Sequence, residues 1–213
     1  MPTTVYKIGG SLLDLPDLAE RVDRMLAHSA RGRALLIAGG GPTVNLVRRW
    51  DNVHKLGQHR AHALALAAMQ LNEALLVELL PRAELVADRS QAEQSWRIER
   101  LPILSARAFL EREEPLADLP LPHHWDVTSD SLAAWIAIRW PADALVLVKS
   151  IAAPQSSLEG ASDTPAAVDA HFRKLAPLLP AIGWVNLRGP SRSHRSPPTV
   201  SPWRPGGQQQ GPA

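Results

Sequence analysis

No cysteine occurs among the 213 residues, so a disulfide framework and a thiolate metal site are both excluded. Secretion gains no support from this, and a reducing cytoplasm is the expected compartment. The N-terminus lacks the basic start and long apolar run of a secretory signal, and goes straight into a strand-like segment. Nor does any uninterrupted hydrophobic run reach the length of a membrane span. The longest candidate, Ala61 to Leu80, is broken by His62, Gln70, Asn72, Glu73 and Glu78 and reads as a buried helix. A dominant charge is absent as well. The formal net charge is +2, yet Arg188, Arg192, Arg195 and Arg204 follow Leu187 with no acid among them. Without those four, 19 of the 23 basic residues face 21 acidic ones. A near-neutral folded part argues against a broad nucleic-acid surface. No internal repeat is evident.

What is present is enough apolar material, 45% of the residues, for one sizeable core. Short apolar runs at Thr4 to Ile8, Ala34 to Ala38, Leu101 to Leu104, Ala144 to Lys149 and Gly183 to Leu187 read as buried strands. Helical spacing fills the intervals: Leu15 to Ser29, Thr43 to Trp50, His59 to Leu80, Ser105 to Glu113 and Ser129 to Trp140, the last closed by Pro141. Alternation of this kind predicts βαβ units and a largely parallel sheet in one domain, residues 1–187. From Arg188 the composition turns to Pro, Ser, Gly, Gln and Arg, so residues 188–213 are expected to form a disordered tail. Trp203 is the one residue there with the bulk to dock, although a lone aromatic in such a tail is more often exposed.

Four segments carry chemistry. Lys7-Ile8-Gly9-Gly10-Ser11 ends the first strand just before an expected helix; its glycines admit an anion to the backbone and Lys7 supplies a point charge. Alone, it reads equally as a tight turn with an exposed lysine. Gly39-Gly40-Gly41-Pro42 repeats the pattern after the second strand, which sets two anion-binding turns on one sheet edge. Neither turn ends in the Gly-Lys-Ser/Thr of a Walker loop, and Val44 stands where a dinucleotide fingerprint needs its third glycine. In Trp125 to Ala134, Asp130 near a helix start is either a cap or an acid that orients lysines or holds a phosphate-bound magnesium ion. Lys149, closing the strand Leu145 to Val148, either snorkels to solvent or contacts a phosphate. The pair His123-His124 is a weak metal candidate, since adjacent side chains diverge and no His-Glu-x-x-His accompanies them.

In this order and spacing the four segments resemble the amino acid kinase superfamily over roughly Thr4 to Leu187. The resemblance implies a three-layer α/β/α sandwich with an open, mainly parallel sheet, ATP and Mg²⁺ as cofactors, a small-molecule acceptor and a homo-oligomer. It assigns Lys7, Asp130 and Lys149 to catalysis, Gly9, Gly10, Ser11 and Lys149 to the nucleotide phosphates, and Gly39, Gly40, Gly41 and Ser129 to the acceptor. Lys7 and Asp130 are expected at a solvent-facing strand edge, where their loss lowers rate far more than stability. One departure concerns the segment between Lys149 and the last strand, which is short for the superfamily; Lys174 is the substitute lysine available there, and a non-catalytic, nucleotide- or anion-binding member is the alternative. Compact size, the Trp125 to Ser131 segment, Lys149-Ser150 and Asp169-x-x-Phe172 look most like the kinase acting on aminomethyl-furanmethanol phosphate in methanofuran-type cofactor biosynthesis. Acetylglutamate, aspartate and uridylate kinases compete with that assignment.

Overall fold

The computed structural model describes residues 1–28, 32–153, 167–189 and 200–203. Seven strands form one sheet in the order β3-β4-β2-β1-β5-β6-β7. They are β1 (Thr3–Ile8), β2 (Arg33–Ala38), β3 (Ala83–Val86), β4 (Leu101–Leu104), β5 (Ala144–Lys149), β6 (Ile182–Asn186) and β7 (Ser201–Pro202). The pairs β1–β2, β1–β5, β2–β4, β3–β4 and β5–β6 are parallel; β7 alone runs antiparallel, on β6. All carboxyl ends of the central strands therefore reach one edge. Strand order reverses around β1, which has β2 on one side and β5 on the other, and such a switch point opens a crevice at the carboxyl ends.

The helices are α1 (Leu18–His28), α2 (Gly41–His54), α3 (Gln58–Leu79), α4 (Arg89–Arg97), α5 (Ala106–Glu113), α6 (Ser129–Arg139) and α7 (Ala170–Leu175). The two-residue period of the central strands divides the core. Val5, Leu35, Ile37, Leu145 and Leu147 face a layer that includes Phe109 of α5, Trp135 of α6 and Phe172 of α7. Tyr6, Ile8, Leu36, Val146 and Val148 face Leu18, Val22 and Met25 of α1, with Leu76 at the end of α3. This is the expected α/β/α sandwich. Among the described residues no helix is long and apolar enough to cross a membrane.

Several local expectations change. α2 runs on to His54, where Lys55 takes a left-handed conformation at φ 51° and closes it. β3 and α4 were not legible: the strand has four residues, and α4 fully buries only Ala92 and Ser95, with Trp96 packed part-buried against the core. α3 is not buried all round, since Leu64, Leu71, Leu75 and Leu79 are exposed. The first glycine turn leads into one 3-10 turn, Gly10–Leu12, and α1 begins only at Leu18, so the α1 dipole does not act at that turn.

The expected disordered tail is corrected at residues 200–203. These return to the sheet: Trp203 N donates to Ile182 O at 2.9 Å, and its ring lies 5.5 Å from Trp184 and 5.9 Å from Phe172. The aromatic therefore docks, and the remainder of that expectation, residues 190–199 and 204–213, lies outside the described residues.

Candidate active site

Lys7 pairs in register with Leu147, one rung short of the Ile8–Val148 pair, and Lys149 follows next on β5. Odd positions on both strands face α6, so the two lysines project to the same side. Asp130, the second residue of α6, stands between them. Its Oδ1 is 2.8 Å from Lys7 Nζ, an ion pair without hydrogen-bond alignment, and its Oδ2 accepts from Lys149 Nζ. The cap of α6 is Thr128, whose hydroxyl accepts from Asp130 N at 3.2 Å. Of the readings open for Asp130 and Lys149, lysine orientation by the acid is the one the geometry carries; Lys149 does not snorkel.

Lys7 and Asp130 are each only 4% exposed, which corrects the expected solvent-facing placement. Burial works to raise the Asp130 carboxyl, but the charges of Lys7 and Lys149 outweigh it and hold the group below its ordinary 3.8. Lys149 is pulled below 10.5 by burial and then by Lys7, with Asp130 opposing both. The triad has one negative charge against two positive ones in a dry setting. Such an excess attracts an anion strongly because little water screens it.

The two glycine turns meet backbone to backbone. Gly9 N donates to Val148 O at 2.8 Å and Gly39 N to Ile8 O at 2.7 Å, so each turn is tied to the neighbouring strand end. A methyl group on Gly10 would overlap the backbone of Gly40 and Gly41, and Gly41 also has φ +53°. No side chain fits at this junction. Pro42 follows in the first turn of α2, which opens directly at Gly41 and points its free N–H groups at the same edge. Ser11 Oγ lies 2.9 Å from Ser150 Oγ, linking the first turn to the end of β5. Gly40 N donates to Ser129 Oγ at 3.4 Å, linking the second turn to α6.

A cavity of about 220 Å³ adjoins the second turn. Gly40, Gly41, Thr128 and Ser129 form its inner end, and Leu66, Met69, Leu121 and Leu132 contribute apolar wall. Arg48, whose guanidinium lies 4.9 Å over the Trp125 ring, and His62 line it as well, and among the described residues no carboxylate does. Burial, then the neighbouring His123 and His59, lowers His62 from 6.5 to about 4, so it is neutral near pH 7. His123 stacks on His62 at 4.1 Å and pairs with Glu114 at 2.9 Å, while His124 faces Asp126 at 3.7 Å. Among the described residues no group of three or more His, Asp or Glu could hold a metal ion.

Three residues hold the site in roles the sequence reading did not assign them. Asn72, counted there only as a polar interruption, donates to Gly39 O, Gly40 O and Thr43 Oγ1 at 2.7, 2.8 and 2.9 Å and so fixes the second turn from α3. A polar residue on the buried side of an Ala/Leu helix was the available signal. Arg188, expected in the tail, donates to Ser11 O at 2.6 Å and pairs with Asp14. Asp169 caps α7 and also receives hydrogen bonds from Thr128 and Ser131. Lys174, by contrast, is exposed on α7 and is not brought to the lysine pair.

Two glycine turns, the buried Lys7 and the half-buried Lys149 meet around one acid at this edge, and the family model for the amino acid kinase family matches residues 2–153. The chain belongs to the amino acid kinase family. No curated protein matches it in sequence. Among solved structures, the uridylate kinase of Archaeoglobus fulgidus superposes with a TM-score of 0.61 at 16% identity, over 85% of this chain and 89% of that one. The UMP kinase of Ureaplasma parvum gives 0.62 at 14%, over 93% and 98%. That of Bacillus anthracis gives 0.62 at 14%, over 90% of each. At these identities the likeness establishes the amino acid kinase fold.

Proposed function

We propose that this chain is an ATP-dependent small-molecule kinase, transferring the γ-phosphoryl group to a phosphate or carboxylate oxygen of an acceptor seated beside Gly40 and Gly41. The observation that carries this reading is the buried Lys7–Asp130–Lys149 triad at the junction of two side-chain-free turns. ATP would supply the transferable phosphoryl group, and its magnesium would travel on its phosphates, since both Asp130 oxygens already face lysines. Gly9, Gly10 and Ser11 would lie along the nucleotide phosphates with Lys149. Lys7 would neutralise charge on the equatorial oxygens as the bond to the leaving oxygen breaks and the acceptor oxygen bonds to phosphorus. Asp130 holds both ammonium groups in place before reaction, so little reorganisation is needed.

The cavity suits a small, flat, anionic acceptor: apolar walls, the Arg48–Trp125 pair, helix N–H groups and no carboxylate. A furan ring with a phosphate arm, as in aminomethyl-furanmethanol phosphate, has that shape and anionic end, while its ammonium arm would have to point away from a lining without carboxylates; a pyrimidine nucleotide, the substrate class of the uridylate kinases, is the competing acceptor. Steady-state ADP release with a panel of phosphate and carboxylate acceptors tests the reading. Turnover that Lys7→Ala lowers by about 10³-fold or more is expected. ATP that raises thermal stability with no acceptor consumed would instead establish a binding member, a reading favoured by the short chain between β5 and β6.

The proposed homo-oligomer would form through α3. Its exposed face carries Ala63, Leu64, Leu71, Ala74, Leu75 and Leu79, an unusual outer surface for a soluble helix.

A further inference from the structure

Asp169 is more than a helix cap. Capping α7 requires one acceptor, and Asp169 Oδ1 provides it to Phe172 N at 2.8 Å. The same carboxylate takes four further hydrogen bonds, all from the first turn of α6. Thr128 Oγ1 donates to Oδ2 at 2.6 Å and Thr128 N at 3.3 Å; Ser131 N donates to Oδ2 at 3.4 Å and Ser131 Oγ to Oδ1. Asp130 lies between those two residues.

The direction of the Thr128 hydroxyl is the decisive point. A hydroxyl has one proton, and here it goes to Asp169, which turns an oxygen lone pair toward Asp130 N at 3.2 Å. A carboxylate can only accept, so the polarity of the chain Asp130 N–H to Thr128 to Asp169 is set at its end. Lys149 is tied to the same segment: its Nζ donates to Ala167 O at 3.1 Å, two residues before Asp169. Asp169 also favours the charged form of Lys149.

We propose that Asp169 is a positioning residue for phosphoryl transfer, fixing the Asp130 turn through Thr128 and thereby the Lys7–Lys149 spacing. This rests on the kinase reading above, and its test has an arm that does not need turnover. Only Lys7, Lys55, Lys149 and Lys174 would carry label in the full chain grown with ¹³Cε-lysine. Thr128→Val removes the hydroxyl and leaves the Asp169 charge; Asp169→Asn removes the charge and puts an NH₂ donor in place of one accepting oxygen, so the Thr128 and Ser131 hydroxyls can no longer each donate to an oxygen of their own. Both variants should move the Lys7 and Lys149 resonances and spare Lys55, and the double variant should move them no further. Thr128→Ser should keep the wild-type spectrum. With a turned-over acceptor, kcat should fall about 10²-fold at unchanged acceptor KM, again without additivity. Unmoved Lys7 and Lys149 resonances in Thr128→Val, or additive effects, would overturn the proposal. If Asp169→Asn does not fold, Thr128→Val decides. Absence of turnover in the wild-type chain would sink the kinase reading and leave the lysine spectra as the test.

Discussion

Replacing Glu73 by Gln should stabilise the protein above neutral pH and leave it almost unchanged in mild acid. Glu73, on α3, is fully buried; Oε1 accepts from Ala106 N at 3.0 Å, and Oε2 has no partner among the described residues. Burial raises its carboxyl from 4.5 to about 7, against the opposing pull of the Ala106 N–H and the Ser105 hydroxyl. Below pH 4.5 both folded and unfolded chains hold the proton and the group costs nothing. Between 4.5 and 7 the unfolded chain releases it first, so stability falls as pH rises, by about 1.4 kcal/mol per pH unit. Above pH 7 the loss is complete at about 3 kcal/mol. Glutamine keeps an oxygen for Ala106 N and never ionises. Urea unfolding followed by tryptophan fluorescence, from pH 4.5 to 8, should therefore show Glu73→Gln more stable than wild type by up to about 3 kcal/mol at pH 8. His62 complicates the acid side, because its lowered value, about 4 against 6.5, makes stability rise with pH between those limits. The two slopes oppose each other below 6.5, and the variant should uncover the histidine slope. Equal stability of variant and wild type at pH 8 would mean that Glu73 ionises in the folded protein at no cost, and the argument from burial would fail.

Asp130→Ala should lower stability by about 3–5 kcal/mol in addition to suppressing turnover, because it leaves the buried Lys7 and the half-buried Lys149 without their carboxylate; chemical denaturation beside kinetics checks both. Trp203→Ala should cost about 2 kcal/mol and expose Trp184, seen as a red-shifted emission, since the ring contacts Trp184 and Phe172. Leu71→Asp with Leu75→Asp should yield a well-folded monomer in sedimentation experiments if α3 joins two copies; an unchanged mass would remove that interface.

Much of the fold was legible because its strands are continuous apolar runs, as central parallel strands must be when both faces are covered. β3 and α4 were not, since a four-residue strand and a mostly polar nine-residue helix give weak periodicity. Composition misjudged residues 200–203, because it averages over a tail and cannot register one edge strand with a docking tryptophan.

By itself the sequence determined which residues could handle phosphate: glycines after two strands, a lysine near the end of the first of these and another closing a third strand, and an acid opening a helix. Alternation of strands and helices pointed to one shared sheet edge, because parallel strands present their carboxyl ends on the same side. Only the tertiary structure decided that Asp130 lies between Lys7 and Lys149, that Lys7 and Asp130 are nearly dry, and that Asn72 and Asp169 hold the turns from distant segments. Burial and the direction of a hydrogen bond arise from contacts made across the chain, and no local pattern contains them.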